Sequence, residues 1–290
     1  MLSLRWGLYL IAAPLGFFLA FFLTPLGFSA AESLRPYVPG MVGSSDEGGL
    51  TLENYRVLIE PVYLGYLAET FRISFIATML TLLAAYPLAT HIARRPSDLI
   101  RKVLIAGLVM LMFMSTLVKV YAITIALGPL GFGRPIAALF GTYLNSSAMS
   151  EIAVLFGLFS FLLPIGTLML VATIQNINPR YLEASLALGA NHLSSHLKVM
   201  LPLALPGLTS AFLVTFTLGI SAFVIPMILG RGRVTFVTNL IYTRFSEISN
   251  YPSGAALSML MLLLSLLMVY VIAGALNRLI GRQAGSAPAR

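Results

Sequence analysis

Long apolar runs separated by short polar connections set the plan of this chain. They lie at Gly7–Ala31, Thr70–Ala93, Val103–Leu127, Ile152–Ile174, Leu208–Leu229 and Ala255–Leu276. Each reaches the ~20 residues that a helix needs to cross the hydrocarbon of a bilayer. The runs are continuous rather than alternating, so they read as helices and not as barrel strands. The predicted fold class is therefore an all-α integral membrane protein with six transmembrane helices. The first run follows Arg5 and ends at Ser29-Ala30-Ala31, which also suits a signal-peptide cleavage site; its length favours a retained span. Pro14 and Pro25 are expected to bend it. Pro87, Pro164 and Pro226 interrupt spans two, four and five, either as tolerated kinks or as hinge points.

The polar stretches then divide the chain. Residues 1–31 form the N-terminal helix, 32–69 an external loop, 70–276 a five-helix core and 277–290 a tail. The loop carries a Gly-Ser-acid patch at Gly43–Gly49, followed by a short element at Leu50–Tyr55 that leads into the second span. It holds too little apolar surface for an independent domain, which leaves a surface loop or a docking rim for a soluble partner.

Composition agrees with this plan. Hydrophobic residues make up 58% of the 290 and charged residues only 10%, with mean hydropathy +0.92. A soluble domain usually carries about a quarter charged residues. The chain has no Cys, which excludes disulfides, thiol nucleophiles and Cys-based metal sites. The net charge of +8 would suggest nucleic acid in a soluble protein; here it points to loops meeting anionic lipid, with no nucleic-acid partner.

Charge position sets the expected orientation. With the N-terminus inside, the inner set holds Arg5, Arg94, Arg95, Arg101, Lys102, Arg180, Lys198, Arg278, Arg282 and Arg290 against Asp98 and Glu183. The other acids fall outside: Glu32, Asp46, Glu47, Glu53, Glu60, Glu69, Glu151 and Glu247. Both termini and the connection between spans four and five are then cytoplasmic by the positive-inside rule.

That connection, within residues 175–207, is the most informative stretch. Asn178 can cap a helix with Pro179 at its first position, and Gly189 can end that helix in a left-handed conformation. Asn191 can cap a second helix, with Pro202 expected to close it. A helix–glycine–helix hairpin between two spans suits a grip by something soluble.

Glu183-Ala184-Ser185, Gly189 three residues later, and Val199-Met200-Leu201-Pro202 resemble the EAA loop of ATP-binding-cassette (ABC) importer permeases. That pattern is Glu-Ala-Ala, three residues, Gly, nine residues, Ile, one residue, Leu-Pro. Ser185 replaces the second Ala and Val199 the Ile. Further segments resemble permeases of the spermidine/putrescine importer group: Leu52–Tyr55, Ala85–Ala89, Lys119–Ala122, Leu203–Gly207, Phe223–Pro226 and Asn239–Tyr242.

The resemblance implies a type I importer fold in the bacterial inner membrane. The partners it implies are a second permease, leaning toward a different homologous chain, a cytoplasmic ABC ATPase dimer and a periplasmic solute-binding protein. ATP and Mg would sit on the ATPase, with no cofactor bound by this chain. Glu183, Ala184, Ser185, Gly189, Ala190, His192, Leu201 and Pro202 would engage the ATPase. The implied solute is a polyamine such as spermidine or putrescine. The alternatives are an amino-acid derivative, opine, organophosphonate or iron chelate.

The sequence carries no phosphate-cradling loop of its own. His192 and His196 share a helix face, yet lack a third ligand nearby, so a solvated or partner-facing surface is expected and no metal. Gly219–Phe223 lacks the second glycine of a nucleophile elbow, which argues against an intramembrane hydrolase. An ion-gradient transporter would want carboxylates in mid-span, and every acid lies in a loop or at a span end. Lys119, Tyr121, Ser221, Phe223 and Pro226 are the candidates for the translocation path. Lys119 lies about 12 Å along the axis from Leu127 if that span is straight, and either snorkels or faces inward. Arg72, Glu69 and His91 sit near span ends.

Overall fold

The computed structural model describes residues 11–12, 14–40, 49–95 and 97–284, with side chains described as far as 275. The Gly43–Ser45, Asp46–Gly48 part of the acidic patch, Arg5, and the side chains of Arg278, Arg282 and Arg290 lie outside that set. Two compact units are distinguished: Met1–Gly65 with Val237–Leu264, and Tyr66–Phe236 with Ser265–Arg290.

In the first unit, helix α1 (Pro14–Ser33) is mainly apolar and exposed over most of its length, as a lipid-facing span is, until Ser33 is buried at its end. A π turn at Leu19–Leu23 directly precedes Thr24-Pro25. The wider turn accommodates a residue that donates no N–H. The chain leaving α1 is held by its own polar groups. Ser33 Oγ lies 2.8 Å from Tyr55 Oη, and Asn54 Nδ2 donates to the carbonyls of Ser33 and Arg35. Tyr55 and Asn54 belong to α2 (Glu53–Leu58), which begins within the short element expected at Leu50–Tyr55.

The second span is longer than its apolar run: α3 covers Pro61–Ala93, with Pro87 inside and the helix unbroken. The third differs from expectation. Instead of one span over Val103–Leu127, α4 (Asp98–Phe113) and α5 (Thr116–Ala126) meet at 90°. Met114 and Ser115 are both extended, with ψ near 131° and 132°. No proline or glycine marks the corner. It forms because α5 packs against other helices instead of continuing the line of α4.

A short helix α6 (Gly133–Leu139) leads to α7 (Ser147–Gln175), capped by Ser146 Oγ accepting from the Met149 N–H at 3.1 Å. At ~1.5 Å per residue α7 is about 43 Å long, more than a bilayer core. It is the centre of the second unit: α4, α5 and the two helices described next all pack against it. Val154, Leu158 and Leu162 of α7 join Val120 of α5 and Leu127 just after it in one buried cluster.

The fifth span also departs from its predicted limits. After α8 (Arg180–Ala187), helix α9 runs from His192 to Ile220 and stops there. Ser221–Phe223 break it, and Val224–Leu229 form a separate helix, α10, seated on α5 and α7. Pro226 therefore lies in α10 and does not kink a span. Gly157 of α7 lets α10 approach: a Cβ there would stand 2.7 Å from both Ile225 Cγ2 and Leu229 Cδ1. Helices α11 (Val237–Tyr242) and α12 (Tyr251–Ala284) follow, α12 supplying the last span. Among the described residues, five helices are long and apolar enough to cross a membrane, and the bent α4–α5 pair makes a sixth.

Candidate functional site

The connection between α7 and α9 is a hairpin built by local caps. Asn178 Oδ1 accepts the Arg180 N–H at 3.0 Å, but the helix starts at Arg180 with Pro179 at its N-cap, one residue later than the expected start with Asn178 as cap. Gly189 has φ of +85° and receives the chain from Leu188 with open space around it. Its N–H donates to Leu186 O at 3.0 Å, and the Ala190 N–H to Ser185 O at 3.2 Å, which satisfies the last carbonyls of α8. Asn191 Oδ1 then accepts the Ser194 N–H at 2.7 Å and starts α9.

Pro202 does not close the second helix. A π turn over His196–Met200 comes immediately before Leu201-Pro202, and the helix continues into the span. The physical reason is the one seen at Pro25. A π turn re-spaces the carbonyls ahead of the ring, so the missing N–H is absorbed instead of ending the helix.

The hairpin's surface is mixed. Glu183, Ala184 and His192 are exposed, whereas Ser185, Ala190, Leu201 and Pro202 are half-buried. Leu188 is 89% and Leu193 69% exposed, on an element otherwise rich in polar side chains. Apolar tips among polar groups fit a protein contact better than lipid. Ser185 Oγ lies 2.8 Å from Ser195 Oγ and joins the two arms. Ser185 is the position where the sequence departs from the Ala of the EAA pattern, and nothing in the spacing signalled a bond across the hairpin.

Arg94, just beyond α3, is a residue the sequence reading counted only as an inner charge. Its Nη2 donates to Ile177 O at 2.9 Å, where the chain leaves α7, and lies 3.9 Å from Met200 Sδ. Burial lowers its pKa from the ordinary guanidinium value, and the charge of Glu183 opposes that shift. His192 and His196 belong to no group of three potential metal ligands among the described residues.

The five path candidates all fall on or beside the two short helices that follow the breaks. Lys119 and Tyr121 are on α5, Ser221 and Phe223 in the break after α9, and Pro226 on α10. Helices α5 and α10 pack together, yet the side chains are not brought to one face. Lys119 is buried, its Nζ 5.9 Å over the Phe161 ring, and has no hydrogen-bond partner among the described residues. Tyr121 is exposed, Phe223 is half-buried, and Pro226 is buried. Ser221 Oγ, itself exposed, is occupied by Leu218 O at 3.1 Å. On α3, Ser74, Thr78 and Thr81 are fully buried hydroxyls without partners among the described residues. About a third of the way along α3, Arg72 Nη1 meets Glu151 Oε1 of α7 at 2.8 Å, and Glu69 accepts the Thr235 backbone N–H.

These features define a polytopic α-helical membrane protein with a capped, polar hairpin between two of its spans. The chain belongs to the family of binding-protein-dependent transport system inner membrane components, whose pattern it matches over residues 77–284. It is thus a membrane component of a transport system and not itself an enzyme. It is 31% identical over 236 residues to the spermidine/putrescine transport system permease protein PotB of Haemophilus influenzae, covering 81% of this chain and 82% of that one. It is 27% identical over 223 residues to PotB of Escherichia coli strain K12, covering 76% and 81% respectively. Its fold matches a bacterial alginate ABC transporter solved in complex with an alginate pentasaccharide-bound periplasmic protein. The TM-score is 0.73 and the identity 14%, over 95% of both chains.

Proposed function

We propose that this chain is the permease subunit of an ATP-driven importer for a polyamine, delivered by a periplasmic binding protein. The solute reading is supported by likeness to PotB across most of both chains, at 31% identity. Its partners are a second permease, a different homologous chain, and two cytoplasmic ATPases that bind the ATP and Mg. The termini and the hairpin face the cytoplasm, consistent with the inner excess of Arg and Lys.

The observation that carries the coupling role is the hairpin itself. Two caps and a left-handed glycine hold it rigid while Glu183, Leu188 and His192 stay exposed. Glu183 to Gly189 seat in a cleft of the ATPase, where Glu183 pairs with a basic residue. Closure of the ATPases on ATP moves the seated hairpin as a lever and turns the spans from inward-open to outward-open. The short helices α5 and α10, with Lys119, Tyr121, Ser221, Phe223 and Pro226 on or beside them, border the path.

The test is to copurify the complex and screen its binding protein against polyamines by thermal shift. Stabilisation by spermidine or putrescine, and uptake of the same solute by reconstituted complex only with ATP, are expected. A binding protein that responds instead to an opine, phosphonate or iron chelate would reject the polyamine and leave the importer reading intact.

A further inference from the structure

Arg94 holds both ends of the hairpin at once. Ile177, whose carbonyl it takes at 2.9 Å, is the last residue before Asn178 opens the hairpin, and Met200, 3.9 Å away, ends the π turn that leaves it. The guanidinium is attached to the end of α3, the longest helix of the second unit's spans before α7. Its Nε is buried and has no partner among the described residues, so a donor remains available inside the same contact. Glu183, in the first turn of α8, is the carboxylate whose charge acts on it.

A second polar attachment of α3, the ion pair of Arg72, lies 22 residues earlier in the chain. Arg72 meets Glu151 of α7 at 2.8 Å, and at ~1.5 Å per residue the two arginines stand about 33 Å apart along the helix. Helix α3 is also buried at intervals from Leu67 to Ile92, so a pull at its end is felt by the whole packed span. Helix α3 is continuous through Pro87, so a pull at Arg94 is not absorbed by a break.

We propose that Arg94 is a positioning residue that transmits hairpin movement to α3. By holding Ile177 and Met200 together, it makes displacement of the hairpin a displacement of the second span. A single nitrogen, Nη2, reaches both the Ile177 carbonyl and the Met200 thioether, so both contacts move with the end of α3. When a basic residue of the ATPase takes Glu183, the contacts of Arg94 to the Ile177 carbonyl and the Met200 thioether remain in place. The proposal rests on the reading that the hairpin docks on an ATPase.

The experiment uses the whole complex in proteoliposomes, with both permeases, the ATPases and the binding protein. Arg94→Gln removes the charge; Arg94→Lys keeps a charged donor for the same carbonyl. The expected result is that the ATPase still copurifies with Arg94→Gln while solute imported per ATP falls about fivefold or more. Arg94→Lys is expected to regain at least about half of the native ratio, which a purely space-filling role would not produce. A ratio within about twofold of native in Arg94→Gln overturns the proposal. So does an Arg94→Lys no better than Arg94→Gln, or loss of the ATPase from Arg94→Gln, which would make the residue part of docking. Gly189→Trp in the same complex separates the two readings. Full uptake by that variant sinks the docking role itself, whereas defective uptake there beside a normal Arg94→Gln sinks only the transmission.

Discussion

Arg72 of α3 and Glu151 of α7 face each other with Nη1 and Oε1 2.8 Å apart, joining two spans whose sequences lie far from one another. The sequence places Arg72 near a span end and Glu151 among the outer acids, with nothing to link the two. Their pairing explains why both are tolerated at the edge of the apolar region, since a partner replaces part of the lost hydration. Both side chains keep some exposure, so the pair is worth at most about 1 kcal/mol to stability. Reversing either charge is expected to lower the thermal midpoint in detergent, and reversing both to recover most of it. A double variant no better than the worse single one would show that the pair is incidental.

Gly189 adopts φ of +85°, where an L residue is strained even though space is open. The Gly189→Trp variant is expected to insert and fold, since nothing near it would clash. Uptake is expected to be lost while ATP hydrolysis by the complex continues. Normal uptake by that variant would count directly against the hairpin as the coupling element.

Ser185→Ala restores the residue of the EAA pattern and removes the bond to Ser195 Oγ. One neutral hydrogen bond contributes about 1 kcal/mol. The expected outcome is faster amide exchange at the start of α9 without loss of the span. Unchanged exchange there would mean the two hydroxyls are held by the caps alone.

Gly207 on α9 lies against Thr173 of α7, where a Cβ would come within 2.3 Å of Thr173 Cγ2. Gly207→Val forces the helices apart and is expected to cost about 1–3 kcal/mol. Thr173→Gly in the same chain makes room and is expected to return part of that loss. Additive losses in the double variant would contradict the contact.

Lys119 buries an amine with no hydrogen-bond partner among the described residues. Lys119→Met keeps the length of the side chain and removes that cost of about 1–3 kcal/mol. A higher thermal midpoint for the isolated chain is expected. A lower one would show that an acceptor holds the ammonium.

The hairpin was largely legible because it is made of local chemistry. Asn178, Gly189 and Asn191 act within three residues of themselves, so their roles follow from spacing. Pro202 misled for an equally physical reason: a proline predicts a stop, and a π turn one residue earlier offers a way through. Arg94 was visible only as a charge. Its partners lie 83 and 106 residues further along the chain, beyond any local pattern.

What the sequence determined by itself is the class of solution: apolar runs of spanning length must be helical, because lipid offers their backbones no partners. It also determined the caps and the glycine corner, which depend on neighbours in the chain. Only the tertiary structure decided where the third run turns at Met114 and Ser115 and where the fifth stops at Ile220. No proline or glycine stands at Met114 and Ser115, and Pro226 signals a disturbance in the fifth run without saying that the helix stops. The bent course goes with α5 and α10 packing on α7 and on each other, and hydropathy contains no direction.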